Sequence, residues 1–240
     1  MISRFKDKMV FVSGASSGIG EAIAEALLNE GVSVVGASRR KPRLSDTPGF
    51  HHVEVDFSDL RQLPQRLREI AKQYNNITAI VSCAGAGQFG SIEEFSFDQI
   101  DKLIQLNLTS HIYVAKQFMP ALRKLDSSDV IFIGSEAAVS GGRRGAVYSA
   151  SKFGLRGFSQ ALRDECAKSG VRVSLINPGM VKTPFFDQLA FRPGKEEENY
   201  IEPSDVANVV KMILSTRPGT VFDEINLSPL KKVVDFQSIT

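Results

Sequence analysis

Residues 8–40 read KMVFVSGASSGIGEAIAEALLNEGVSVVGASRR, and their pattern decides the fold. Val10, Phe11 and Val12 form the apolar run of a buried strand, Ala22, Ile23, Ala26 and Leu27 recur at helical spacing, and a second apolar run follows. Gly14, Gly18 and Gly20 stand between the first strand and the helix. Glycines there let the chain turn sharply and bring bare backbone up to a pyrophosphate, to which the helix offers its first N–H groups and positive dipole end. A strand, a glycine turn, a helix and a strand in that order point to nucleotide binding.

Outward from this unit, further apolar runs fall at 32–37, 52–55, 79–82, 130–133, 171–176 and 221–227, with helical patterns between most of them. Such alternation with short connections predicts an α/β fold: a doubly wound parallel sheet of about seven strands, helices on both faces, one domain over residues 1–240. Its ligand crevice belongs at the carboxyl ends of the strands, and Gly14, Gly85, Ser135 and Pro178 each follow an apolar run. Residues 98–125 form one long helical pattern with an apolar stripe through Leu103, Ile104, Leu108, Ile112, Ala115, Phe118 and Met119, and Asn107 lies on the same side.

Tyr148 and Lys152 stand four apart in YSASK, which on a helix makes them neighbours on one face, with Ser135 upstream. An ammonium beside a phenol favours the phenolate and so lowers a tyrosine pKa from about 10. The pair can serve as a general acid or base.

Composition narrows the class. The chain has 29 Lys and Arg against 27 Asp and Glu, a net charge of +2 with no long basic block, so no general attraction to nucleic acid or membrane is expected. The two cysteines, Cys83 and Cys166, and the three histidines lack ligand spacing, which favours buried free thiols in a reducing compartment and no metal. No secretory signal or membrane span is read, so cytoplasmic residence is the default.

Taken together the motifs resemble the short-chain dehydrogenase/reductase family, in the branch with a Gly-x-x-x-Gly-x-Gly turn and a Tyr-x-x-x-Lys pair. The resemblance covers nearly the whole chain in the family's order: SGASSGIG at 13–20, CAG at 83–85, Asn107 within LNL, Ser135, YSASK at 148–152, and NPG with Thr183 behind it. It implies a catalytic set of Asn107, Ser135, Tyr148 and Lys152. Tyr148 would exchange a proton with the substrate oxygen, Lys152 would lower its pKa and bind the nicotinamide ribose, Ser135 would polarise the carbonyl, and Asn107 would complete a water relay beside a bent helix. Gly14, Ser16, Ser17, Gly18, Ile19 and Gly20 would hold the cofactor pyrophosphate. Ala84 and Gly85 would face its ribose, and Pro178, Gly179, Val181 and Thr183 the nicotinamide end. Asp56, with Phe57 beside it, resembles the residue that contacts adenine, although an Asp at a strand end also caps loops. The chain departs from the family at Ser82 and Cys83, where two asparagines are usual, and at Ser13, where Thr is common.

The cofactor type follows from the residues after the second strand. Eighteen positions beyond Gly20, where an acid would hold ribose hydroxyls, the chain has Ser38, Arg39, Arg40, Lys41, Pro42 and Arg43, with no carboxylate between Gly31 and Leu44. A hydroxyl and a planar guanidinium fork suit a 2′-phosphate, so NADP(H) is expected, with Ser38, Arg39 and Arg40 as its contacts. Residues 184–202 are the expected substrate lid, whose Phe185, Phe186, Leu189 and Phe191 suit a partly apolar substrate or are simply core. Small residues at Ala150, Gly154, Gly157 and Ala161 let a second backbone approach, either the chain's own sheet or, as the resemblance implies, a second subunit of a homodimer or homotetramer. The small-molecule substrate stays open among a hydroxy acid, a ketoacyl thioester, a diketone and a steroid-like ring. The runner-up function is an NADP(H) sensor or scaffold without catalysis.

Overall fold

Alternation along β1 (Met9–Ser13) sends Phe11 into one core and Val10 and Val12 into another, so the strand is covered on both sides. The computed structural model describes residues 8–236; residues 1–7 and 237–240 of the expected domain lie outside the described residues. Six more strands join β1: β2 (Ser33–Ser38), β3 (Phe50–Glu54), β4 (Ala79–Ser82), β5 (Ser128–Ile133), β6 (Val171–Pro178) and the less buried edge strand β8 (Glu224–Leu227). They form one parallel sheet in the order β3-β2-β1-β4-β5-β6-β8. The order reverses between β1 and β4, where connections leave in opposite directions and a crevice opens at the carboxyl ends.

Helices α1 (Gly18–Asn29) and α6 (Pro203–Ser215) cover one face with Ile23, Leu27, Val206, Val210 and Ile213. On the other lie α2 (Leu63–Gln73), α4 (Ser110–Leu122) and α5 (Ala146–Cys166), which bury Leu67, Phe118, Leu122 and Leu155. Helix α3 (Phe97–Ile104) runs into α4. Two strands outside the sheet, β7 (Phe191–Pro193) and β9 (Val234–Phe236), pair antiparallel and tie these two segments together. Among the described residues no helix is long and apolar enough to cross a membrane.

Two expectations change. The single helix over 98–125 is broken into α3, a π turn at Gln105–Thr109 and α4, which ends at Leu122. A π turn inserts one residue into the helical ladder and is frequent at functional sites; here it turns Asn107, fully buried, onto the backbone of Ala86. The strand expected at 221–227 starts at Glu224, and the segment before it is held as a loop, with Arg172 donating to the carbonyls of Thr216, Arg217 and Thr220. The small-residue stripe faces away from the sheet. Ala150, Gly157 and Ala161 are exposed, while Gly154 packs under Leu108.

Candidate active site

The glycine turn is built as its residues require. Gly14 adopts φ +74°, a left-handed conformation that side chains disfavour, and a Cβ on Gly20 would collide with the Gly14 carbonyl. Ser13 Oγ accepts the backbone N–H groups of Cys83 at 2.9 Å and Ala84 at 3.0 Å, tying the exit of β1 to that of β4. The hydroxyl kept in place of Thr therefore has a job in the crevice. Helix α1 begins after Ser17, whose side chain makes no cap bond, so the first N–H groups of the helix have no side-chain acceptor. Ser16, Ser17 and Ile19 are half-buried beside Gly18, and Thr183 reaches to 3.2 Å from where a Cβ on Gly18 would stand. The loop after β6 thus closes over the turn, with Gly179 N–H bonded to Leu227 O at 2.8 Å and Val181 bridged to Ile201.

The four expected catalytic residues come together. Lys152 is 5% exposed and donates to Ile133 O at 3.2 Å, at the carboxyl end of β5. A Cβ on Gly85 would stand 3.2 Å from Asn107 Oδ1 and 3.8 Å from Lys152 Nζ, so these groups meet at the mouth of β4. The Asn107 amide bonds Ala86 in both directions, N–H to Oδ1 at 2.9 Å and Nδ2 to O at 2.8 Å. Ser135, just past β5, accepts from Ala137 N–H at 3.1 Å and stands near enough to Tyr148 to pull the phenol pKa down.

Electrostatics follow from burial. Desolvation pulls Lys152 down to about 8, the nearby Cys83 opposing it, and among the described residues no carboxylate pairs with this ammonium. The expectation that Lys152 lowers the Tyr148 pKa is not met. Burial raises the phenol to about 12, Ser135 pulls it down, Glu136 adds to the rise, and Lys152 stands off at 5.9 Å from the ring centroid. Behind the lysine, Ser82 Oγ lies 2.7 Å from Nδ1 of buried His111, which burial first and the Lys152 charge second push down to about 3, so this imidazole is neutral. Burial pushes the Cys83 thiol up to about 12, and both cysteines are free. The departure from the family's two asparagines therefore replaces amides by a neutral hydroxyl–imidazole pair and a neutral thiol.

On the far side of the crevice the basic loop divides. Arg43 pairs with Glu21 and Glu25, and Lys41 with Asp46, whereas Arg39 and Arg40 are exposed and form no ion pair among the described residues. Ser38 differs from expectation: it is 3% exposed and its hydroxyl donates to Arg40 O at 2.8 Å, turned into the loop rather than toward a ligand. Asp56 accepts from Ser58 N–H at 2.9 Å and Ser58 Oγ at 2.6 Å, which is the capping role. Partial burial lifts its carboxyl, but the Ser58 bonds and the Arg39 charge hold it below the usual range. Phe57 is core, packed in the cluster under α2.

Sequence reasoning missed Phe89, whose ring lies 5.0 Å from that of Tyr148. It also missed the clamp beside Phe89: Gly90 N–H bonds Arg144 O at 2.7 Å, and the Arg144 guanidinium grips both oxygens of Glu94. Arg144 sits at φ +59°, a strained conformation for a non-glycine residue that this grip helps to hold. The available signal was an apolar side chain inside the glycine-rich stretch GAGQFG directly behind a site motif.

Comparison with known proteins agrees with this geometry. Residues 8–192 match the short chain dehydrogenase family. An uncharacterized oxidoreductase of Staphylococcus epidermidis is 29% identical over 235 residues, covering 95% of this chain and 100% of its own, and one from Staphylococcus aureus is 29% identical over 230 residues, covering 93% and 98%. The ligand-free aldohexose dehydrogenase of Thermoplasma acidophilum superposes with a TM-score of 0.83 at 25% identity, covering 95% of both chains. An alcohol dehydrogenase of Thermococcus sibiricus, complexed with 5-hydroxy-NADP, gives 0.84 at 24% identity over 94% of this chain and 98% of its own. The chain, with its glycine turn and its Ser135, Tyr148 and Lys152 at one sheet edge, belongs to the short-chain dehydrogenase family and is an oxidoreductase of that type.

Proposed function

We propose that the protein is an NADP(H)-dependent oxidoreductase that interconverts a carbonyl and a secondary alcohol, with Tyr148 exchanging the proton. The observation that carries this reading is the convergence of Ser135, Tyr148, Lys152 and Asn107 beside Gly85 at the crevice where strand order reverses. The donor set suits the cofactor. The α1 start without a side-chain cap and the bare backbone of Gly14, Gly18 and Gly20 would take the pyrophosphate, flanked by Ser16, Ser17 and Ile19. Arg39 and Arg40, the unpaired cations of the loop, would take a 2′-phosphate. Asp56 and Phe57 would border the adenine, Ala84 and Gly85 the ribose, and Pro178, Gly179, Val181 and Thr183 the nicotinamide. Bound there, the nicotinamide supplies or accepts a hydride. NADP accompanies similar folds in the Thermococcus enzyme and in a serine dehydrogenase solved with NADP+.

The protein's own groups divide the remaining work. Tyr148, raised to about 12, is a phenol at neutral pH, the form that gives a proton to a carbonyl oxygen during reduction. Ser135 holds that oxygen and polarises the bond. Lys152, at about 8, holds or releases a proton near neutral pH and would bind the ribose. Asn107 fixes the Ala86 backbone next to it, at a π turn suited to a water relay. The exposed face of α5 at Ala150, Gly157 and Ala161 suits a homodimer or tetramer, and two free thiols suit a reducing cytoplasm.

The cofactor assignment is tested by the double change Ser38→Asp, Arg39→Ala. It should lower the preference for NADPH over NADH about tenfold or more, measured as the ratio of kcat/KM. An unchanged preference contradicts the assignment.

A further inference from the structure

The Tyr148 phenol belongs to a closed circuit of five aromatic rings. Tyr148 meets Phe89 at 5.0 Å between centroids, Phe89 meets Phe191 at 5.0 Å and 82°, and Phe191 meets Phe186 at 5.9 Å and 68°. Phe186 meets Phe185 at 5.2 Å and 74°, and Phe185 returns to Tyr148 at 6.2 Å. Three of these contacts are edge-to-face and the two to Tyr148 are tilted, so ring faces and edges both border the Tyr148 phenol, surfaces on which a further planar ring packs well. Phe89, Phe185 and Phe191 are only half-buried, so apolar ring surface remains available at the site, whereas a phenylalanine serving as core would be covered.

Each wall is anchored. Phe89 is held through Gly90 and the Arg144–Glu94 clamp. Phe191 lies in β7, paired to β9, and Lys231 on the same tail pairs with Glu198. Phe89 and Phe185 converge over the backbone of Gly87, where a Cβ would fall on the Phe185 ring and stand 3.0 Å from Phe89 Cε2.

Charge at the rim discriminates among carbonyls. The circuit contains no cation, and the nearby Lys232 is spent on Glu136 at 2.6 Å, a carboxylate adjacent to Ser135. A substrate carboxylate seated among these rings would lose water against apolar surface and would meet the Glu136 charge that Tyr148 already feels, while Lys152 stands 5.9 Å from the Tyr148 ring centroid and donates to Ile133 O.

We propose that these rings form the substrate slot, and that the protein acts on neutral carbonyl compounds, or the matching alcohols, whose carbonyl carbon bears an aromatic or conjugated ring, in preference to keto or hydroxy acids. This rests on the oxidoreductase reading above and names its substrate class.

The test compares kcat/KM with NADPH for an aryl methyl ketone, a saturated-ring methyl ketone of equal size and a β-keto carboxylate, in wild type, Phe89→Ala and the volume-conserving Phe89→Leu. The aryl ketone should be the best of the three. The aryl-to-saturated ratio should fall about tenfold in Phe89→Ala and less in Phe89→Leu, mainly through KM. Binding of the matching aryl carboxamide, which is not reduced, should weaken in the same order and gives the comparison without turnover. A preferred keto carboxylate, or a ratio and carboxamide affinity unmoved by both variants, overturns the slot. Carboxamide binding that depends on Phe89, with no carbonyl reduced, supports the slot and overturns the oxidoreductase reading instead.

Discussion

The two ends of the parallel sheet bury charge in opposite ways. At the amino end, Asp129 and Arg172, 1% and 5% exposed, are matched group for group. The Arg172 Nε and Nη2 reach Asp129 at 2.8 and 2.7 Å, its Nη1 is taken by three carbonyls of the 216–220 loop, and Lys8 adds a second cation at 3.8 Å. At the carboxyl end, Lys152 is as deeply buried but has a carbonyl where Arg172 has a carboxylate. Burial raises the Asp129 carboxyl as well, but the Arg172 bond and charge, with Lys8, oppose it and the pair staples the fold; at Lys152 burial is opposed by Cys83 and the ammonium is pulled down to about 8. The same physical cost is offset by ionic partners at one end and left largely standing at the other.

The largest stability effect lies at the matched end. Arg172→Ala leaves Asp129 buried without its fork, and urea unfolding should show a loss of about 3–5 kcal/mol. A loss below about 1 kcal/mol would mean that the pair does not hold the fold, and the contrast between the ends would fail.

At the other end the effect is smaller and depends on pH. Below pH 8 Lys152 is protonated in both the folded and the unfolded chain, and the full cost of burying its charge is present. Between about 8 and 10.5 the folded lysine has lost its proton while the unfolded one keeps it, so stability rises with pH across that window. Lys152→Met should therefore be more stable than wild type at neutral pH, by on the order of 1–3 kcal/mol, with the gap closing as pH passes through the window. Thermal melts of both proteins at several pH values measure it; a gap that ignores pH contradicts a strained Lys152.

The matched and unmatched ends also differ in how far the sequence exposes them. The strands, the glycine turn and the Tyr148–Lys152 pair rest on local signals, namely apolar runs, glycine spacing and a four-residue step, whereas the roles expected of Ser135 and Asn107 come only from the family resemblance. The Asp129–Arg172 pair joins residues 43 apart in the chain, and neither runs against a local pattern strong enough to announce it. The apolar stripe hides the π turn, because one inserted residue barely disturbs it; the bent helix at Asn107 is implied only by the family resemblance, and its bond to Ala86 is not foreseen. The three-residue strands β7 and β9 are too short for a periodic signal, and with them went the anchoring of Phe191. Tyr148 shows the limit of reasoning from spacing. The lysine was rightly placed on the same helix face, yet the burial that dominates the phenol pKa comes from distant loops.

The most direct test of the account is the initial rate of NADPH oxidation by wild type and Tyr148→Phe across a panel of ketones, diketones and ketoacyl thioesters, with NADH in parallel. The account predicts turnover that prefers NADPH and falls by a factor of about 10² or more when the hydroxyl is lost. Wild-type rates in Tyr148→Phe would contradict it.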